Sequence, residues 1–211
     1  MKINHEKCIT KPTQILYIHG FLSSEKSVKA MELANYFQQC NDVCFTAYTY
    51  PQREVNQSLV FIENWICNAR KKGSVVLIGS SLGGFYAQYF GQQYQLPYCM
   101  INPALNPDLF YEHIGSYTNS HTGESINVSD SYIEELLKLT PENLKHNSSI
   151  LLLMDQEDEV IDVDYAIQCY RPVKRTESLK VKVFSGGNHD FQHLKESFSL
   201  INDWLNSCQN A

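Results

Sequence analysis

Apolar positions along the chain come in two alternating textures. Six short runs are apolar at almost every position: residues 14–18, 43–47, 75–78, 97–101, 150–154 and 179–184. Gly20, Pro51, Gly79 and Asn102-Pro103 close the first four. Runs of this length and character predict strands buried on both faces. Between them the spacing changes to threes and fours. Val55, Leu59, Ile62, Ile66 and Ala69 predict one apolar helix face over 55–71, which Arg70-Lys71-Lys72 and Gly73 bring to an end. Residues 27–39 predict a helix with Val28, Met31 and Phe37 turned inward. A last helix is expected to start near Asp190 as its N-cap and to bury Phe191, Leu194, Phe198, Ile201 and Leu205.

Buried strands alternating with amphipathic helices specify an α/β class: a mostly parallel sheet of about six strands with helices on both faces. The length of 211 residues fits a single domain spanning 1–211. Residues 105–149 break the rhythm, being polar and aromatic with one helix-like piece at 129–139. Connections beyond roughly 15 residues tend to be lids or binding loops, so a lid-like insertion is expected there.

Composition narrows the function classes. Hydrophobic residues at 43% and charged ones at 19% are ordinary globular usage. The net charge of −6 and the lack of a basic cluster argue against a nucleic-acid partner. No apolar run approaches the roughly 18–20 residues of a membrane-spanning helix. Residues 1–7 lack the apolar core of a signal peptide, and the seven cysteines are odd in number and scattered. A cytoplasmic protein is expected.

The candidate chemistry sits at strand ends. Gly79-Ser80-Ser81-Leu82-Gly83-Gly84 directly follows the third strand and opens a helix-like segment. This is Gly-x-Ser-x-Gly on a strand-to-helix turn, the setting of a serine nucleophile, and only Ser81 has glycines at both −2 and +2. His19-Gly20-Phe21-Leu22 ends the first strand. A backbone N–H from Phe21 or Leu22, facing that of Leu82, would form an oxyanion hole, with His19 a structural support. In the acid loop 155–162, Asp158 is the preferred partner for a histidine, Asp155 its rival, and Asp162 the N-cap of a helix over 163–170. Ser185-Gly186-Gly187-Asn188-His189 gives His189 a flexible exit from the last strand. His5, His113, His121, His146 and His193 have no such setting and are expected at the surface. His189 and His193 have the i, i+4 spacing of a zinc pair, but the zincin glutamate is replaced by Asp190 and no third ligand is indicated. No Gly-rich phosphate loop occurs. Neither a metal nor an organic cofactor is expected.

The order Ser81, Asp158, His189 is that of α/β-hydrolases. The segments His19–Ser24, Gly79–Tyr86, Asn102-Pro-Ala104, Thr122-Gly-Glu124, Asp158-Glu-Val160 and Gly186–Phe191 together resemble the YqiA-like esterases over about residues 14–205. The resemblance implies a compact α/β-hydrolase acting on carboxylic esters or acyl thioesters. By motif, Ser81 would be nucleophile, Asp158 acid and His189 base. Glu157 departs from the wider fold, whose acid loop has Gly at that place. A small-molecule acyl substrate is the expected partner. The alternative is an idle scaffold of the same fold that binds a ligand or partner under its lid.

Overall fold

The computed structural model describes residues 11–145, 148–171 and 178–209. All six expected strands form: β1 (Thr13–Ile18), β2 (Val43–Ala47), β3 (Val75–Ser81), β4 (Tyr98–Pro103), β7 (Ile150–Asp155) and β8 (Leu179–Phe184). They make one parallel sheet in the order β2-β1-β3-β4-β7-β8. Every residue of β1, β4 and β7 is buried, as strands covered on both faces require. Edge strand β8 instead exposes Lys180 and Lys182, whose charges discourage pairing with another chain.

The two-residue period of the strands sorts the core into two layers. Ile15, Tyr17, Val76, Ile78, Leu151 and Leu153 face α1 (Val28–Phe37) and α6 (Leu194–Gln209). Leu16, Ile18, Leu77, Met100, Leu152 and Met154 face α2 (Val55–Arg70), α3 (Leu82–Tyr94) and α5 (Val163–Cys169).

Two helix expectations need correction. On α1 the buried stripe is Ala30, Leu33 and Phe37, whereas Val28 and Met31 stand 72% and 56% exposed. Ser27 caps the helix by accepting from the Ala30 N–H, and the small Ala30 packs in the same layer as Ile15 and Tyr17. Helix α6 begins at Leu194, and Asp190 does not cap it. Phe191 sits at φ 57°, a left-handed conformation that no helix can pass through.

The stretch 105–149 is more structured than expected. A 3-10 turn (Pro107–His113) leads into an antiparallel hairpin of β5 (Gly115–Thr118) and β6 (Ser125–Val128). Helix α4 (Asp130–Leu137) follows, capped by Ser129, and realises the helix-like piece. Ile126, Val128, Ile133 and Leu136 are buried in the same layer as α2. Among the described residues, no helix is long and apolar enough to cross a membrane.

Leu152 is fully buried midway along β7, between β4 and β8. Leu152→Ala should cost about 2–5 kcal/mol of stability, read as a lowered midpoint in urea unfolding.

Candidate active site

The carboxyl ends of parallel strands are where an α/β sheet opens a crevice. At that edge β3 passes into α3 through Ser81, at φ 53° and ψ −124°. A Cβ on Gly79 would collide with the Gly83 carbonyl, and one on Gly83 with the Ile18 carbonyl. Both positions therefore require glycine. The tight turn leaves the Ser81 Oγ 3.0 Å from His189 Nε2. His189 Nδ1 lies 2.9 Å from Asp158 Oδ2 and 3.1 Å from Oδ1. The Asp158 side chain is wholly covered, and its Oδ1 also accepts from the Val160 and Ile161 N–H groups. A further bond from the His189 N–H to Glu159 ties the two loops together. The three residues singled out by motif thus meet in one chain of hydrogen bonds. Ser80 points the other way, its Oγ bonded to the Tyr17 hydroxyl at 2.9 Å in the core.

Leu82 is the first residue of α3, so its N–H has no acceptor within the helix. In the 20–23 turn, the Phe21 and Leu22 N–H groups differ in their partners. Leu22 donates its N–H to Gln52 Oε1 at 2.9 Å, so that hydrogen is already engaged. Among the described residues the Phe21 N–H has no such acceptor. Gln52 is fully buried and also donates to the Gly20 carbonyl and the Tyr50 hydroxyl, while Tyr50 donates to the His19 carbonyl. From the stretch 105–149, Glu124 accepts from the Gln52 and Arg53 N–H groups, and Asn119 donates to the Ser23 carbonyl. The Phe21 ring packs edge-on against Phe110 and Tyr117. Sequence reasoning missed Tyr50, Gln52 and Asn119, which act across long separations without a local motif. Glu124 belongs to the Thr122-Gly-Glu124 segment, which the resemblance marks without a role.

His19 is 1% exposed, stacks on Tyr50, and shares its Nδ1 hydrogen with the Gly20 carbonyl at 2.8 Å. Burial pushes its pKa down to about 4, so the ring is neutral where ordinary histidines titrate. The other histidines divide. His113 and His121 are exposed, and His5 and His146 lie outside the described residues. His193 departs from expectation: it is half-buried, stacked on Phe184, and its Nδ1 lies 2.6 Å from Asp155 Oδ1.

That contact settles what Asp155 does. It is fully buried, and its Oδ2 accepts from the N–H groups of Asn188 at 3.2 Å and Gln192 at 2.7 Å. Asn102 accepts from the Asp155 N–H and donates to the Asn188 carbonyl. Gly187, at φ 80°, runs so close that a Cβ there would strike the Asp155 carboxylate. Asp155 therefore clamps the loop that carries His189 and makes no bond to the His189 ring. His189 and His193 are tied to different carboxylates, and no group of three or more His, Cys, Asp or Glu side chains could hold a metal among the described residues.

A cavity of about 480 Å³ opens beside Ser81 and His189. Its walls come from the 20–23 turn, the start of α1 and residues 189–195, and none of the lining residues belongs to 105–149.

Residues 14–206 match the sequence profile of a family described as "Uncharacterised protein family (UPF0227)". The chain belongs to that family, the YqiA-like one that its motifs resemble. Among solved structures, the UPF0227 chain is similar to Est1E from Butyrivibrio proteoclasticus at a TM-score of 0.72. The two are 14% identical over 96% of this chain and 90% of the other. The monoacylglycerol lipase of Paleococcus ferrophilus gives 0.69 at 15% identity, covering 94% and 96%. Mouse alpha/beta hydrolase domain-containing protein 10 gives 0.65 at 18%, covering 92% and 90%. The fold is that of the α/β-hydrolases.

Two outcomes follow from the clamp and the buried ring. Asp155→Asn should lower stability by about 1–3 kcal/mol in urea titration, because an amide cannot accept all the bonds converging on that carboxylate. For His19, the folded pKa lies below the unfolded 6.5, so the unfolded chain binds the extra proton between about pH 4 and 6.5. Its stabilising contribution is complete above the unfolded value and falls as pH drops through that window. His19→Gln should show a shallower loss of melting temperature than the wild type from pH 6.5 down to 4.

Proposed function

We propose that this protein is a serine hydrolase that cleaves carboxylic esters through an acyl-serine intermediate. One observation carries the reading: Ser81 Oγ, His189 and Asp158 are linked in series at 3.0 and 2.9 Å on the carboxyl edge of the sheet. His189 Nε2 takes the Ser81 proton as Oγ attacks the acyl carbon. The Phe21 and Leu82 N–H groups meet the charge that develops on the carbonyl oxygen. Asp158 fixes the ring with its Nδ1 protonated and stabilises the imidazolium. His189 then protonates the leaving alcohol and activates water to free the serine. The same cycle accepts acyl thioesters, whose leaving group departs as a thiol.

Est1E and the monoacylglycerol lipase lend support as proteins of like fold bearing those names. An idle binding scaffold would need none of the three contacts. In this reading the chain is a single domain whose 105–149 insertion braces the oxyanion turn, and its partner is a small acyl substrate.

A fluorophosphonate probe should label Ser81, with the modified peptide identified by mass spectrometry. Ser81→Ala should cut ester hydrolysis by roughly four to six orders of magnitude, while Ser80→Ala costs far less. Equal losses in the two variants, or no labelling, would overturn the assignment.

A further inference from the structure

Hydrolases that take long acyl chains need apolar pockets, and the cavity beside Ser81 is mixed, with Phe21, Val28, Phe191 and Leu194 set among charged and polar groups. Its lining includes Ser23, Ser27, Lys29, Glu32, Gln192 and Lys195. The two lysines are not equivalent. Lys195 is exposed and its ammonium is matched by Glu32 at 3.3 Å. Lys29 is half-buried, and its Nζ donates to the backbone carbonyl of Asp190 at 2.9 Å. Among the described residues, no carboxylate comes within ion-pair distance of it.

A backbone carbonyl satisfies one of three ammonium donors and none of its charge. The remaining field at Lys29 is mixed. Burial is the larger influence and lowers its pKa, while the Asp190, Asp158 and Asp155 carboxylates, acting from further away, favour the charged form in part. Helix α1 adds to the positive side, since Lys29 stands in its first turn and that turn carries no acidic residue. Its anchor, Asp190, is the residue next to His189, so the ammonium is held against the loop that carries the imidazole.

Resting on the hydrolase reading, we propose that Lys29 binds a carboxylate carried by the substrate, making the natural ester an anionic one. The carboxylate would lie in the cavity between α1 and residues 189–195 while the ester carbonyl sits at Ser81. An ammonium already drawn partly out of water gains a charge-assisted hydrogen bond there, which is stronger than its bond to a carbonyl. Glu32 pairs with Lys195 and is not within ion-pair distance of Lys29.

A carboxylate can belong to either half of an ester, and matched substrates separate the two. On the acyl side, mono-4-nitrophenyl glutarate is compared with 4-nitrophenyl pentanoate. On the alcohol side, 4-butyryloxybenzoate is compared with its methyl ester. The quantity read is the ratio of kcat/KM for the anionic ester to that for its neutral partner. The wild type should favour the anionic ester in one pair, which also names the side that reaches Lys29. Lys29→Met should lower that ratio about tenfold or more, chiefly through KM, and Lys29→Arg should restore most of it. Thermal melts check that the variants fold. Independently of any variant, the wild-type ratio should fall as salt rises. A neutral preference in both pairs, or a ratio unmoved by Lys29→Met in a folded enzyme, would overturn the proposal while leaving a labelled, active Ser81 in place. A Ser81 that is neither labelled nor active on any ester would overturn the hydrolase reading and this proposal with it.

Discussion

At the end of β3 the chain leaves the sheet and enters α3 with no residue between them, and Ser81, the last of the strand and the cap of the helix, is held at φ 53° and ψ −124°. A side-chain-bearing residue in so sparsely populated a region costs about 1–3 kcal/mol, so the surroundings must over-determine it. They do so by close approach. The Gly79 and Gly83 backbones pack where no Cβ fits, and Leu82, Phe85 and Tyr86 then anchor α3 in the core. The same geometry has two consequences at once. It holds the serine hydroxyl out of the sheet beside His189, and it brings the Leu82 N–H, unpaired at the helix start, to the same place. A longer turn would relieve the strain and separate them.

The two carboxylates that follow β7 divide the remaining work, and strand geometry decides which does what. Asp155 is the last residue of the strand and shares the face of Leu151 and Leu153, the side on which α6 packs. Its carboxylate must therefore meet the approach to α6, where His193, Gln192 and Asn188 bind it. Asp158 is beyond the strand and free of the pleat, and its loop curls until the carboxylate meets the His189 ring. One acid fixes the backbone of the histidine loop and the other fixes the ring. Glu157, at the place where the wider fold has glycine, does not divert the loop, because its side chain is exposed and the Glu157 N–H is bonded to the Gly186 carbonyl.

Runs such as Ile150–Met154 were legible because a strand buried on both faces has no other way to be written. The Gly79–Gly84 motif was legible because its chemistry and its sterics coincide. Helix α1 was misread in phase: Val28-x-x-Met31 and Ala30-x-x-Leu33 offer the same spacing, and only the fit of Ala30 against the sheet selects between them. The β5–β6 hairpin was invisible because its strands are only four residues long, and Tyr117, Ile126 and Val128 are too few positions for an alternation to stand out. Gln52 and His193 escaped for a different reason. Their importance lies in partners 30 and 38 residues away in the chain, and nothing in their immediate neighbours encodes those bonds.

The stretch 105–149 bears on the site in a way that its length alone does not suggest. It contributes no wall to the cavity beside Ser81, yet Asn119 and Glu124 bind the Ser23 carbonyl and the Gln52 backbone, and Phe110 and Tyr117 grip the Phe21 ring. Gln52 in turn takes up the Leu22 N–H, and among the described residues the Phe21 N–H has no such acceptor. On the proposed reading, the insertion governs how well charge on the carbonyl oxygen is stabilised, through a chain of bonds that ends at one backbone hydrogen. On the same reading, substrate shape is set by the 20–23 turn, the start of α1 and residues 189–195, which together wall the cavity. The 20–23 turn belongs to both functions, so residues 105–149 reach selectivity as well as rate through the turn they brace.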